Sequence, residues 1–583
     1  MEIFESIAGS GADDVLSGEA IAQGSQRSAA ESDLWVFREG QREIAGPALL
    51  SELSDRIASF NTVAGLTDAL IQAGELESAL ADAGCSKSNA AAELTDALAL
   101  ALSIGISDRR ALGRLATAVV TPERIRTSPP EGFTYYGLHP LAFARLVSRI
   151  REEPRACAVI GIRTIGTTLS AMVAAALKVQ NRPLSRITVR PRGHPYSRTI
   201  AFSLEESAWI REQLSRAAQF LVVDEGPGRS GSTFLAVAEA LIGSGVPREL
   251  ITILGSREVD PSSLLAEQAA SRWSRFRFIA ATASVDQRFE SCQYVGGGEW
   301  RKWLLPETPA WPREQWPESW TQMERLKFLS ADGHTLFKFE GMGPLGATAR
   351  ERSFALAVAG FSPPASEAGD GFVAYSVLRG ATFRPRNLNP SLLEQMARYC
   401  AFRAANFAAR TDRPDELGQM LEYNVRQEFG VDLNLSQGAL RTQNPVLVDG
   451  QMQPHEWISA DRIFKTDSVD HGDNHFFPGP CDIAWDLAGA AIEWQMTPDT
   501  IQIFLSLFQR FSGIDASDRL PIYLLAYSVF RLGFCKMAIS TALDDEVERL
   551  RRAFLRYRRL AIELIHSHPQ STPNPSPAPS PGT

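Results

Sequence analysis

Cysteine is scarce in this sequence: six residues in 583, at least 54 positions apart, with no CxxC pair. That spacing disfavours both a zinc ribbon and a disulfide framework. Uninterrupted apolar runs of 18 or more residues are missing, so no membrane span is expected. The first thirty residues carry Glu2, Glu5, Asp13, Asp14 and Glu19 and no cationic start before an apolar stretch, so no signal peptide is expected. Basic residues are outnumbered, 59 against 68, and the net charge of −9 argues against a globally basic nucleic-acid binder. Internal repeats are missing as well. A cytoplasmic protein without membrane or nucleic-acid partners is therefore expected, its oligomeric state left open.

What is present is a globular composition, 44% hydrophobic and 22% charged. At ~150 residues per domain the length suits three or four domains. Residues 1–30 are rich in Ser, Gly and Ala, and residues 569–583 hold six prolines and no charge. Both ends are expected to be disordered. Residues 31–129 read as mostly helical, with Leu66, Ala69, Leu70, Ala73, Leu76 and Leu80 at helical spacing and an Ala/Leu-rich segment from Ala90 to Leu102.

Across residues 130–290, Cys157–Ile160, Ile187–Val189, Phe220–Val223 and Leu250–Leu254 read as strands, with helices at Leu169–Leu177 and Phe234–Leu241. Buried strands alternating with helices imply an α/β domain with a parallel sheet. Residues 291–321 read as a linker holding five of the eleven tryptophans (Trp300, Trp303, Trp311, Trp316, Trp320) among prolines. It is expected to be glued onto the neighbouring domain surfaces; a stacking platform for single-stranded nucleic acid is the alternative. Residues 322–568 form the last unit, strands in 322–380 and mainly helices in 381–568. Its final helix sets Val547, Leu550, Phe554, Tyr557, Leu560 and Leu564 on one face and Arg549, Arg552, Arg556 and Arg559 on a solvated one.

The sharpest chemical signal runs from Leu221 to Thr233. A buried strand ends at two adjacent carboxylates, Asp224 and Glu225. A small-residue loop, Gly226-Pro227-Gly228-Arg229-Ser230-Gly231-Ser232-Thr233, then leads into a helix. Loop amides and hydroxyls at a helix N-terminus make an anion site, and paired carboxylates before it can accept from ribose hydroxyls or help hold Mg²⁺. Neither GxxxxGK[ST] nor GxGxxG is present. Sixty residues upstream, Cys157-Ala158-Val159-Ile160-Gly161-Ile162-Arg163-Thr164-Ile165-Gly166-Thr167-Thr168 repeats the strand, loop and helix start. Arg190, Arg192, His194 and Arg198 lie between the loops, as a lid or a solvated turn.

These two segments resemble type I phosphoribosyltransferases, over roughly residues 130–285. The string Asp-Glu-Gly-Pro-Gly-x-Ser-Gly-Ser-Thr is most similar to members from bacterial stress-response clusters, although its loop is about one residue longer than usual. The resemblance implies that Asp224 and Glu225 contact the ribose hydroxyls of phosphoribosyl pyrophosphate. Ser230, Gly231, Ser232 and Thr233 would cradle its 5′-phosphate, while Arg163, Thr164 and Gly166 would hold its pyrophosphate with Mg²⁺. The reaction implied is transfer of the phosphoribosyl group to an unidentified base or related acceptor.

The second half resembles aminoglycoside-phosphotransferase and protein-kinase-like domains. Lys338 on a strand and Glu351 on the next helix match the ion pair that orients nucleotide phosphates. Asp467 ends a strand where a metal-binding aspartate belongs, and Asp482-Ile483-Ala484-Trp485-Asp486-Leu487-Ala488 follows. The catalytic loop departs from the family: Gln451 stands at the base position and Glu456 at the metal-binding asparagine. Asp449 is a candidate base only if the loop is re-registered. His455, His471 and His475 with Asp467, Asp470, Asp473 and Asp482 form a loop rich in metal-ligand types. Together the readings give a bifunctional enzyme: a Mg²⁺-dependent phosphoribosyltransferase fused to a two-lobed α+β kinase-like unit that uses ATP on a nucleoside-like product. The rivals are a nucleotide-sensing regulatory protein with a pseudokinase half, and a single-strand nucleic-acid-processing factor.

Overall fold

The structure is a computed structural model that describes residues 42–573 apart from 86–87, 107, 151–154, 229, 282–288, 306–310, 410–413, 434, 436–437, 470, 473, 475, 478 and 568–570. The expectation of disorder at 1–30 lies outside the described residues, and so do Arg229, Asp470, Asp473 and His475.

Strand β1 (Arg42–Ala45) pairs antiparallel with β2 (Arg124–Thr127), a clasp that helical periodicity does not announce. Between them run α1 (Gly46–Ser59), α2 (Val63–Asp82), α3 (Ser88–Ile104) and α4 (Arg109–Ala118). The Thr62 hydroxyl accepts from Gly65 N at 3.1 Å and starts α2; Asp108 does the same for α4 through Arg110 N and Ala111 N. All six apolar residues read at helical spacing in α2 are buried, and so are Asp68, Gln72, Glu77 and Ser78. A helix buried around most of its circumference is an inner layer, not a surface helix.

The reason lies in the next unit. Strands β3 (Cys157–Ile162), β4 (Leu184–Val189), β5 (Gln219–Val223), β6 (Ile251–Gly255) and β7 (Arg277–Ala280) form one parallel sheet in the order β4-β3-β5-β6-β7. Such a sheet needs cover on both faces. One face is packed by α8 (Leu204–Ser215), α9 (Ser232–Gly243) and α10 (Ala269–Trp273) through Ile210, Phe234, Leu235 and Trp273. The other meets α6 (Pro140–Leu146) and α7 (Ile165–Val179) through Phe143, Leu169 and Val173, with Ile71 of α2 in the same cluster. Ala171, Met172 and Ala175 of α7 in turn join the core of the helical lead. The described residues of 31–129 are thus an outer layer of the sheet unit and share its core.

A second, antiparallel sheet has the order β11-β12-β10-β9-β8. Its strands are β8 (Gln293–Tyr294), β9 (Lys327–Leu329), β10 (Thr335–Phe339), β11 (Ala365–Gly369) and β12 (Phe372–Ser376). It takes β8 from residues 291–321, so part of the stretch read as a linker belongs to this sheet. Phe328, Phe339 and Phe372 share a cluster with Val159, Leu221 and Val223, which presses the two sheets' cores together. Helix α12 (Gly343–Val358) joins β10 to β11. It starts eight residues before Glu351, because Pro344 suits a first helical turn that apolar spacing alone overlooks.

The remainder is mainly helical: α13 (Pro390–Asn406), α14 (Pro414–Phe429), α15 (Ala484–Glu493), α16 (Pro498–Ser512), α17 (Leu520–Ile539) and α18 (Asp545–Ser567) around Tyr399, Trp457, Trp485 and Trp494. Among the described residues, α17 is the one helix long and apolar enough to cross a membrane, and 72% of that window is packed inside the fold. Arg556 of α18 departs from the solvated-face expectation, since it pairs with buried Glu493 at 2.9 Å. In the tail expected to be disordered, Ser571–Pro573 pairs antiparallel with Val431–Leu433; residues 574–583 lie outside the described residues.

Candidate functional site

Strands β3 and β5 are neighbours, and the chain leaves them for opposite sides of the sheet, so their C-terminal loops face one crevice. The contact there is close: a Cβ on Gly166 would lie 2.4 Å from Val223 O and 3.3 Å from Asp224 Oδ1. Arg163, Thr164, Gly166, Asp224, Glu225, Ser230, Gly231, Ser232 and Thr233 therefore gather at one sheet edge, as read. Gly231 has φ +67° at the start of α9, a left-handed turn that suits glycine. The Arg163–Thr164 and Gly226–Pro227 peptides are cis.

The acidic pair is half-buried. Among the described residues neither carboxyl makes a salt bridge. Burial pushes Asp224 up to about 7, against hydrogen bonds from Glu225 N and Gly166 N and the charge of Arg190. Burial, then repulsion from Asp224 and Glu131, pushes Glu225 up to about 8, with Arg257 opposing. Glu225 also lies over α5 (Glu131–Tyr135), where a Cβ on Gly132 would strike its carboxylate at 2.6 Å. Two half-buried acids short of countercharge fit a divalent cation or a pair of donating hydroxyls.

Each loop already holds an acceptor from the protein. Ser230 Oγ and Ser232 Oγ both donate to Pro195 O, at 2.8 and 2.5 Å. Pro195 sits in a hairpin closed by the Arg192–Thr199 bridge, so the basic stretch lies on the phosphate loop. Arg163 Nε meets Asp82 of α2 at 3.1 Å, and Arg190 pairs with the same carboxylate. Sequence reading passed over Asp82, because nothing local marks an acid brought from a helix 81 residues away.

In the second half the expected residues assemble differently. Glu351 is exposed, two turns into α12 because that helix starts at Gly343. The Lys338–Glu351 pair does not form. Buried Lys338 instead meets Glu340 at 3.2 Å and Asp467 at 2.5 Å. The alternation Lys338-Phe339-Glu340 put both on one face of the strand, a signal available in the sequence. Asp467 also meets Lys327 at 3.1 Å. Although burial would raise it, Lys327 and Lys338 hold its carboxyl well below the usual range.

Asp449 is fully buried, accepts from the Tyr399 hydroxyl and lies 3.3 Å from Lys465 Nζ. Lys465 also meets Glu456 at 2.9 Å. Burial still pushes Glu456 up to about 8, and it drives His455 down to about 3 with help from Lys465. Asp467, expected to hold a metal, and Asp449, expected as a base if the loop is re-registered, thus each face a lysine ammonium. Among the described residues no group of three metal-ligand side chains is present.

A cleft of about 120 Å³ lies beside this cluster, with Trp300, Trp320, Lys327, Gln451, His455 and Asp467 in its walls. The tryptophan faces are in use. Trp300 stacks on His455 at 5.1 Å, Trp320 on Phe476 at 4.7 Å, and Arg384 covers Trp311 at 4.3 Å. Those contacts staple Trp300, Trp311 and Trp320 to the fold.

No family model matches the chain, and no curated protein matches it. Among solved structures it is similar to the choline kinase LicA from Streptococcus pneumoniae (14% identity, TM-score 0.29, 40% of this chain and 89% of that one). A choline/ethanolamine kinase family protein from Mesorhizobium loti is similar at 16% identity and TM-score 0.30, over 41% of this chain and 87% of that one. The macrolide 2′-phosphotransferase MphH from Brachybacterium faecium is similar at 13% and 0.27, over 40% and 88%. TM-scores this far below 0.5 carry no argument about the activity of this chain.

Proposed function

We propose that the sheet unit transfers a phosphoribosyl group from phosphoribosyl pyrophosphate to a base or related acceptor. The single observation behind this is the unneutralised pair Asp224 and Glu225 at the end of β5, flanked by two anion loops on adjacent strands. Asp224 and Glu225 accept from the ribose hydroxyls and fix the sugar. Ser230, Ser232 and the amides opening α9 hold the 5′-phosphate once the Pro195 carbonyl gives way. Arg163 turns to the pyrophosphate. The acidic pair would also hold Mg²⁺, which would supply further charge neutralisation. The bond from the anomeric carbon to pyrophosphate breaks as the acceptor's bond forms, through a sugar with oxocarbenium character. The protein's part is to place charge, with little proton transfer needed of it. Incubation with phosphoribosyl pyrophosphate, Mg²⁺ and candidate bases is expected to release pyrophosphate, and Asp224→Asn to slow the release roughly 10²-fold. Absence of both binding and release overturns the reading.

For the second half we infer nucleotide sensing in preference to phosphotransfer. What favours it is the lysine on each of Asp449, Glu456 and Asp467, together with Gln451 at the base position. ATP is expected to raise the melting temperature without forming ADP. ADP formation with a small-molecule acceptor would restore the kinase reading.

A further inference from the structure

Asp82 is the last residue of α2, and its carboxylate sits inside the first anion loop. It pairs with Arg163 and with Arg190. Arg190 goes on to donate to Arg163 O at 3.0 Å and to Thr164 Oγ1 at 3.2 Å. Arg198 stands close enough to Arg190 that repulsion adds to burial in lowering it. One carboxylate therefore answers two guanidiniums directly, with a third nearby.

The placement runs against helix electrostatics. An anion at a helix C-terminus is disfavoured, and the last turn of α2 holds no basic residue to offset it. The helix body is fixed, since a Cβ on Gly74 would meet Thr168 Oγ1 of α7 at 2.0 Å, and Ser78 Oγ bonds Thr167 Oγ1 at 2.8 Å. The end of α2 is closed by local backbone bonds, Ala83 N to Ala79 O, Gly84 N to Ala81 O and Cys85 N to Leu80 O. Ala83 follows, then Gly84 at φ +67°, with open space around its Cβ position.

We propose that Asp82 is an internal anion that competes with the ligand's pyrophosphate for Arg163 and Arg190, so that the helical region sets the affinity of the first loop. This rests on the phosphoribosyl reading for the identity of the ligand. Pyrophosphate brings more charge and more acceptor oxygens to the two arginines than one carboxylate does. It takes both guanidiniums, and Asp82 swings out as the last turn of α2 loosens. Apparent affinity is lowered in proportion to the fraction of molecules in which Asp82 holds the loop. A carboxylate that merely positions the arginines for the ligand predicts the opposite sign on its removal.

The test measures the Kd of inorganic pyrophosphate with Mg²⁺ on the full chain. Asp82→Asn is expected to bind about tenfold more tightly than the unaltered protein, and Asp82→Glu, which keeps the charge, to stay near it. Unchanged or weaker binding in Asp82→Asn overturns the proposal, as does lack of pyrophosphate binding by both proteins. Should Asp82→Asn not fold, hydrogen exchange on the unaltered chain decides. Added pyrophosphate is expected to speed exchange at the Ala83 and Gly84 amides, and slowed or unchanged exchange overturns the proposal. Failure to bind or turn over phosphoribosyl pyrophosphate, with the pyrophosphate effect intact, would instead fell the phosphoribosyl reading alone.

Discussion

At the edge of the parallel sheet, Asp224 and Glu225 stand side by side without a salt bridge among the described residues. In the second half Asp449, Glu456 and Asp467 each have a lysine ammonium within 3.3 Å. Both sets are removed from water, so both bear a desolvation cost. The difference is where the countercharge comes from. In the first half it is left for something that arrives, and burial drives both acids upward. In the second half the chain supplies it: Lys465 meets Asp449 and Glu456 within the helical lobe, and Asp467 reaches Lys327 and Lys338 of the strand lobe. A cluster of carboxylates in a cleft thus argues for ligand chemistry only after its internal cations have been counted.

The strongest way to break this comparison is to remove one of those cations. Lys465→Met leaves Asp449 buried without an ammonium, and loss of one partner of a buried pair costs about 3–5 kcal/mol. Chemical denaturation should show that loss, and Asp449→Asn in the same chain should recover much of it. A stable Lys465→Met protein that gains Mg²⁺-dependent nucleotide binding would mean that the lysine masks a working metal site. Next in size, Asp224→Asn should slow pyrophosphate release roughly 10²-fold with little change in melting temperature, because it removes an acceptor aimed at the ligand.

Legibility from sequence followed how local the physics was. The loops after β3 and β5 were readable because strand, small-residue turn and helix start are contiguous, and the register Gly161↔Val223 brings them side by side. The lead helix α2 was readable as a helix. Its place as an inner layer was not, since the partners of Asp68 are Arg350 and Gly343 N, 275 residues or more away. Asp82 and Pro195 escaped for the same reason: a side chain from another layer and a backbone carbonyl carry no motif. Glu351 was misread because the eye completes a family pattern, while Pro344 had already moved the helix start.

Proton linkage sharpens the comparison at smaller amplitude. Asp224 rises from 3.8 to about 7 and Glu225 from 4.5 to about 8. Between about pH 4 and pH 8 these acids hold protons in the folded chain that the unfolded chain has lost. Their contribution therefore falls as pH rises through that window and levels off above it. Melting temperature measured from pH 5 to 8.5 should decline more steeply in the unaltered protein than in Asp224→Asn with Glu225→Gln. Stabilisation by Mg²⁺ should be larger at pH 8, where the pair is ionised and uncompensated, than at pH 5.5. Equal slopes would mean that the pair is neutralised from within, as in the other half.

The smallest effect tests the pairing of Lys338. Glu340 is 1% exposed and accepts from the Tyr375 hydroxyl at 2.7 Å, besides facing Lys338. Glu340→Gln should cost about 1–3 kcal/mol by weakening a buried charged network. Glu351 lies on the open face of α12, so Glu351→Gln should stay within about 0.5 kcal/mol of the unaltered protein. It should also leave the stabilisation by ATP unchanged. If Glu351→Gln instead matched Glu340→Gln in either measurement, α12 would have to turn in solution to bring Glu351 to Lys338. Asp467 would then be released from that lysine, and the second half would hold an open carboxylate like the first.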